Sequence, residues 1–435
     1  MMTIILFSLL FFGVSFFSYK KYRRIYLNIK LGKDYSNTNP TSEKLKNMAL
    51  IALGQKKMFS RPIPAIFHFF IYVAFVFTQL ELLEILLDGF TGSHRMIGHA
   101  LLDSCPALYS TLINLIEILS LLALIATFIF LSRRNLLKLP RLNMDELKGW
   151  PMKDANIILI GEIILVFGIF LMNSAESAWL INSNGTGYHF ILSSVFALLF
   201  ISFSADTLQM LSQLGWWLHL IGIFGFILYL PYSKHLHILL AFPNAYLTNT
   251  NAKGQINYMP EIYNEIKSMM GEAVEASDPN AIPKFGARDI IDLSQKNLLD
   301  AYACTECGRC TSACPANQTG KKLSPRKIMM DTRDRMEEVG RLMEANNNEW
   351  KDDGKSLLHN YISVEELRGC TTCNACVEEC PVNISPLDII VQLRRNLIME
   401  ESNSPQEWNG MFGNIENNGA PWKFAQSERA NWANS

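Results

Sequence analysis

Apolar residues crowd into six stretches within the first 240 positions, at about 2–18, 65–88, 108–132, 156–172, 190–203 and 214–240. A helix needs about 17–25 such residues to cross a bilayer, and 190–203 has only 14 before Ser204, Asp206 and Gln209 intervene. Beyond 240 the chain turns polar. There 324–345, SPRKIMMDTRDRMEEVGRLMEA, carries the apolar spacing of an amphipathic helix. The pattern predicts an all-α protein, a transmembrane bundle of about five spans followed by a helical domain outside the membrane.

Charge orients the spans. Residues 20–61 hold eleven Lys and Arg, whereas Asp154 to Ser233 hold none. Basic residues follow the first stretch, the third (Arg133, Arg134, Lys138, Arg141) and the last (Lys234), and Arg95 stands apart from them. The positive-inside rule then gives five spans in the inner (cytoplasmic) membrane, N-terminus outside and C-terminus inside. On this reading 190–203 is a re-entrant or interfacial helix on the outer side. Residues 3–17, followed by KKYRR, lack a basic leading region and read as an uncleaved anchor. The net charge of −1 gives no reason to expect nucleic acid.

Eight of nine cysteines form two runs: Cys304, Cys307, Cys310, Cys314 before Pro315, and Cys370, Cys373, Cys376, Cys380 before Pro381. Each is the C-x₂-C-x₂-C-x₃-C-P run of two-cluster ferredoxins, in which the fourth cysteine ligates the other cluster. The expected ligand sets for two [4Fe–4S] clusters are therefore Cys304, Cys307, Cys310 with Cys380, and Cys370, Cys373, Cys376 with Cys314. A zinc site uses four ligands, not a doubled set of eight. The 55 residues between the runs call for helices around the clusters. Cys105 stands alone.

The last apolar stretch carries His219, His235 and His237. In one continuous helix His219 and His237, 18 residues apart, share a face about 27 Å apart along the axis, and His235 lies about 160° away. His68 opens the second span on the inner side, level with His237, so these two are the expected ligands of a b-type haem. His219 lacks an evident partner, with His94, His99 and His189 all in outer connections.

These residues resemble a known family. FHFF at 67–70, LPYSKHLH at 230–237, DAYACTECGRC at 300–310 and RGCTTCNACVEECPV at 368–382 are similar to membrane iron–sulfur oxidoreductases related to heterodisulfide reductase. In them a nitrate-reductase-gamma-like cytochrome b is fused to an α-helical ferredoxin. The resemblance implies haem ligation by His68, His219 and His237; the fourth ligand position falls at Thr78, which argues against a second haem. It also implies quinone as substrate, electron-transfer flavoprotein as a candidate donor, and a catalytic CCG-type subunit. Since no cysteine follows Cys380, that module is expected to be a separate chain or to be absent, and this chain not to be catalytic alone.

The expected organisation is a cytochrome b-like membrane domain at 1–240, a linker at 241–290, a cytosolic ferredoxin domain at 291–400 and a partner-binding tail at 401–435 with Trp408, Trp422 and Trp432. The expected function is electron transfer between a cytosolic redox partner and membrane quinone. A second reading, from another class, is a non-redox membrane anchor for a soluble reductase.

Overall fold

The computed structural model describes residues 1–183, 189–252, 254–273 and 284–434. Residues 253 and 274–283 of the expected linker, and Ser435 of the expected tail, lie outside them. Five helices are long and apolar enough to cross a membrane: α1 (Met2–Ile29), α2 (Pro62–Thr91), α3 (Pro106–Asn135), α4 (Trp150–Asn182) and α5 (Ala205–Tyr229). The protein is a multi-pass membrane protein. Proline in the first turn of α2, α3 and α4 supplies a fixed φ where no intrahelical donor is needed. Ser204 caps α5 by accepting from the Thr207 amide.

The bundle is tightest where α4 crosses α5. A methyl group on Gly215 would meet the Met172 amide nitrogen at 2.5 Å and the Gly168 carbonyl oxygen at 2.7 Å. Small residues let two backbones approach this closely in lipid. Residues 190–203 form a short helix, Ser193–Ala197, and turns packed against α4. The buried Glu117 carboxylate of α3 accepts the amides of Leu192 (2.9 Å) and Ser193 (3.3 Å), anchoring this segment.

A polar network closes the end of the bundle near Arg95. The Arg95 guanidinium, 3% exposed, donates to Glu176 at 2.9 Å and Asn173 at 2.6 Å. Asp88 accepts the amides of Arg95 and Met96, and Glu84 that of Gly98. Buried charge is tolerated here because each of these carboxylates takes over a loop N–H or a cation.

The sequence expectation of one continuous last helix is corrected by the structure. Helix α5 ends at Tyr229; two 3₁₀ turns, Leu230–Tyr232 and Lys234–Leu236, follow, and α6 (His237–Leu247) begins afresh. Pro231 cannot donate to the helix, and Asp154 stitches the break by accepting from the Tyr229 hydroxyl (2.6 Å) and the Lys234 amide (3.2 Å). The shared face of His219 and His237, and the opposite direction of His235, therefore do not apply. Residues 241–247, assigned to the linker by sequence, belong to α6, which packs on the domain beyond.

That domain is helical, with α7 (Gln295–Ala303), α8 (Pro325–Ala345) and α9 (Pro386–Met399) around the cysteine loops and no strand among the described residues. Its core includes Ile25 of α1 and Leu236 of the 3₁₀ turn, so the two halves share one apolar cluster. Polar bonds extend the junction: Asn28 donates to the Tyr302 hydroxyl at 2.8 Å, and fully buried Arg326 donates to the Arg141 carbonyl at 2.6 Å and Glu146 at 2.7 Å. At its centre the Lys234 ammonium pairs with Glu306, which Arg333 also holds at 2.7 Å. Lys234 is 7% and Glu306 4% exposed. Helix α10 (Gln406–Asn418), followed by two 3₁₀ turns, Gln426–Glu428 and Asn431–Ala433, leaves Trp408, Met411, Phe412 and Ile415 exposed along one side.

This packing makes stability sensitive at two positions. Gly215→Ala should lower the thermal midpoint in detergent by the equivalent of about 1–3 kcal/mol, whereas Gly161→Ala, with open space around it, should not. Lys234→Met leaves Glu306 with Arg333 alone and should cost about 3 kcal/mol, measured by denaturant unfolding of the purified chain.

Candidate functional site

The two cysteine loops have the same local geometry. Glu306 and Thr372, each two residues after the first cysteine of its run, have φ of 54° and 55°. Gly308 and Asn374, each just after the second, have φ of 71° and 62°. Left-handed residues turn successive backbone N–H groups inward, forming a nest for negative charge. At Gly308 a side chain is also excluded by space, since a methyl group would lie 2.5 Å from Arg326 Nη1 and 2.8 Å from the Arg141 carbonyl oxygen. Each loop then enters a short helix, Arg309–Ala313 or Ala375–Glu379, and these two helices pack on each other. Each helix ends at the fourth cysteine of its run, followed by Pro315 or Pro381.

Two adjoining cavities result. The first is lined by Cys304, Cys307, Cys310 and Cys380; the second by Cys314, Cys370 and Cys373; Cys376 borders both. Among the described residues no three His, Cys, Asp or Glu side chains close on a single metal ion. Burial pushes the thiols of Cys304 and Cys376 up to about 12 and that of Cys380 to about 11. Such thiols become thiolates only against a strong local positive charge, which iron supplies. Amide donors already point at sulfur: Ile384 N–H at Cys380 (3.2 Å) and Thr372 N–H at Cys370 (3.4 Å).

The cavities differ in surroundings. The first faces the membrane half, where Arg141 donates to the Cys307 carbonyl at 2.7 Å and Arg309 reaches the Lys57 carbonyl at 3.3 Å. Burial opposes the Glu306 charge in its wall, but Arg333 and Lys234 outweigh it and hold the carboxyl below its ordinary pKa. The second cavity reaches solvent at Cys373, the one exposed cysteine of the eight. Cys105 is also exposed, far along the chain at the start of α3.

The structure brings His68 and His237 together, with ring centres 6.4 Å apart. Two imidazoles bound at about 2 Å on opposite sides of one metal have ring centres roughly 6 Å apart. His68 Nδ1 lies 3.0 Å from Gln55 Oε1 and His237 Nδ1 3.1 Å from the Lys234 carbonyl. Both partners accept, so Nδ1 carries the proton and Nε2 is left to ligate, the usual arrangement around metal-bound histidine. His219 is buried between α4 and α5 with Nδ1 on the Leu165 carbonyl at 2.9 Å, and no other imidazole stacks on it among the described residues. Of its candidate partners, His94 bonds Glu176 at 2.9 Å, and the Thr78 hydroxyl turns back to the Phe75 carbonyl.

Sequence reasoning missed Gln55, which sits in the left-handed region (φ 50°) and 5% exposed behind His68. It missed the Lys234–Glu306 pair as well. A glutamate inside a cysteine run and a lysine inside a histidine segment were the available signals.

Comparison with known proteins agrees with this geometry. The 4Fe-4S dicluster domain family matches residues 303–384. The chain is 27% identical over 433 residues to the probable iron-sulfur-binding oxidoreductase FadF of Bacillus subtilis, covering 93% of this chain and 57% of that protein. It is 27% identical over 453 residues to the EtfAB:quinone oxidoreductase of Syntrophomonas wolfei, covering 98% of this chain and 59% of that one. Over 115 residues it is 30% identical to one component of the ferredoxin/F(420)H(2)-dependent CoB-CoM heterodisulfide reductase of Methanosarcina acetivorans, covering 26% of this chain and 56% of that component. The chain thus spans less than two thirds of the length of these relatives. No solved structure matches it. The chain thus carries a 4Fe-4S dicluster domain beside a bundle of apolar helices, and is similar to iron–sulfur oxidoreductases and to heterodisulfide reductase components.

Proposed function

We propose that the chain is the electron-transfer subunit of a membrane oxidoreductase, linking a redox partner on the ferredoxin side to membrane quinone through two [4Fe–4S] clusters and one b-type haem. The observation that carries this reading is the junction: the His68–His237 pair and the Cys304–Cys310 loop meet through the buried Lys234–Glu306 contact. Clusters and haem, when bound, supply one-electron redox chemistry; the protein sets their position and potential.

In this reading Cys304, Cys307, Cys310 and Cys380 hold the first cluster, and Cys314, Cys370, Cys373 and Cys376 the second. The lining of the two cavities supports the exchange of fourth cysteines. His68 and His237 hold the haem, Gln55 and the Lys234 carbonyl fixing their rings. His219 is assigned no haem partner. Exposed Cys373 makes the second cluster the entry point from the partner, and the first cluster hands on toward the membrane. The basic segments that touch the ferredoxin domain, including Arg61, Arg141 and Lys234, support a cytoplasmic location for it.

The partner we propose is a CCG-type catalytic unit, with electron-transfer flavoprotein as the donor class suggested by the Syntrophomonas relative. The exposed side of α10 and Trp422 would seat it, since aromatic anchors bury large area at low entropic cost. The tail is tied beside the second cysteine run by Arg368, which donates to Asn403 at 3.0 Å and stacks over Trp408.

Replacing Cys314 with Ser should damage the cluster of the second run, and Cys380→Ser that of the first, read as separate EPR signals. Loss of the opposite signal in each case would overturn the crossed assignment. His68→Ala or His237→Ala should abolish the reducible b-type absorption band while leaving both cluster signals; a band of full height in either variant would refute the ligand pair.

A further inference from the structure

The histidines of the bundle and its inner edge divide into two kinds. His68, His219 and His237 each hold Nδ1 against an oxygen acceptor. His235 does not: its Nδ1 is shielded from solvent and has no hydrogen-bond partner. An imidazole nitrogen left without a partner in such a place is costly, and is a natural position for a ligand's polar atom.

The surroundings of His235 define what that ligand is. His235 is partly buried and sits in the 3₁₀ turn between α5 and α6, at the edge of the apolar bundle. Its centre lies 5.4 Å from that of His237 and 6.0 Å from that of Phe226, edge-on to both. Tyr232 and Leu239, on either side in sequence, are 54% and 48% exposed and offer an apolar approach from the lipid. The neighbouring cation is not available as a competing donor, because Lys234 Nζ is bound to Glu306 and to the Pro151 carbonyl at 2.7 Å. The site thus offers one uncommitted imidazole, aromatic and aliphatic walls, and contact with a proposed haem ligand. A lipophilic planar molecule with carbonyl acceptors fits it.

We infer that His235 is the headgroup ligand of a quinone site at this inner edge of the bundle, its Nδ1–H donating to a quinone carbonyl. This rests on the quinone-linked reading above and locates the substrate within it. The site differs from the haem pair in its residue: His235 binds substrate, His68 and His237 bind metal.

The test uses the full chain in detergent or nanodiscs, with a hydroxyquinoline N-oxide as quinone analogue and binding read by fluorescence quenching. His235→Ala and His235→Phe should weaken analogue binding about tenfold or more, with cluster signals and the b-type band unchanged, and His235→Asn should restore part of the affinity by retaining a donor. Wild-type affinity in both His235→Ala and His235→Phe would overturn the site, as would loss of the b-type band in them, which would make His235 a haem ligand. The two readings separate cleanly. Analogue binding that depends on His235 in a chain without haem would uphold the site and refute the haem; a haem-loaded chain whose analogue binding ignores His235 would do the reverse.

Discussion

The contact between Lys234 and Glu306 is the constraint on which the arrangement depends. Neither charge could be buried alone, since an unpaired ion in such a place costs several kcal/mol. Glu306 is fixed two residues into the first cysteine run, and Lys234 immediately precedes the HLH segment. Pairing them sets the cluster loop against the histidine turn with little freedom. Arg333 and Asp154 complete the charge balance, one from the ferredoxin domain and one from α4. The shared apolar cluster, with Ile25 and Leu236 inside the ferredoxin core, supplies the bulk of the cohesion, and the ion pair supplies the register.

Residues with strong periodic or spacing signals were legible from sequence. The five long apolar helices follow from apolar length, and the short helix within 190–203 from the brevity of that stretch. The cysteine runs declare their chemistry because ligand spacing is local. His68 and His237 were paired by their depth in the membrane, a coarse criterion that needs no helix phase. Helix phase itself failed at Pro231: a helix read as continuous is broken by two 3₁₀ turns, so angles counted across it lose meaning and His235 comes beside His237 instead of turning away. Gln55 behind His68, the Gly215 crossing and the Arg95 network were not legible, because each depends on segments distant in sequence meeting in space.

The two cavities are not equivalent. The first is lined by Arg309 and Arg326, the latter bonded to the Arg141 carbonyl, so its surroundings are cationic. The second is bordered by the exposed Cys373. Burial of Cys304, Cys376 and Cys380 as high-pKa thiols also ties the packing of this region to its metal.

We propose that one chain holds two [4Fe–4S] clusters and a haem ligated by His68 and His237. The most direct test is a joint determination of non-haem iron, acid-labile sulfide and haem on one preparation of the purified chain. About eight iron outside haem and one b-type haem per chain are expected. About four iron per chain, or a full iron complement with no b-type haem, would contradict it.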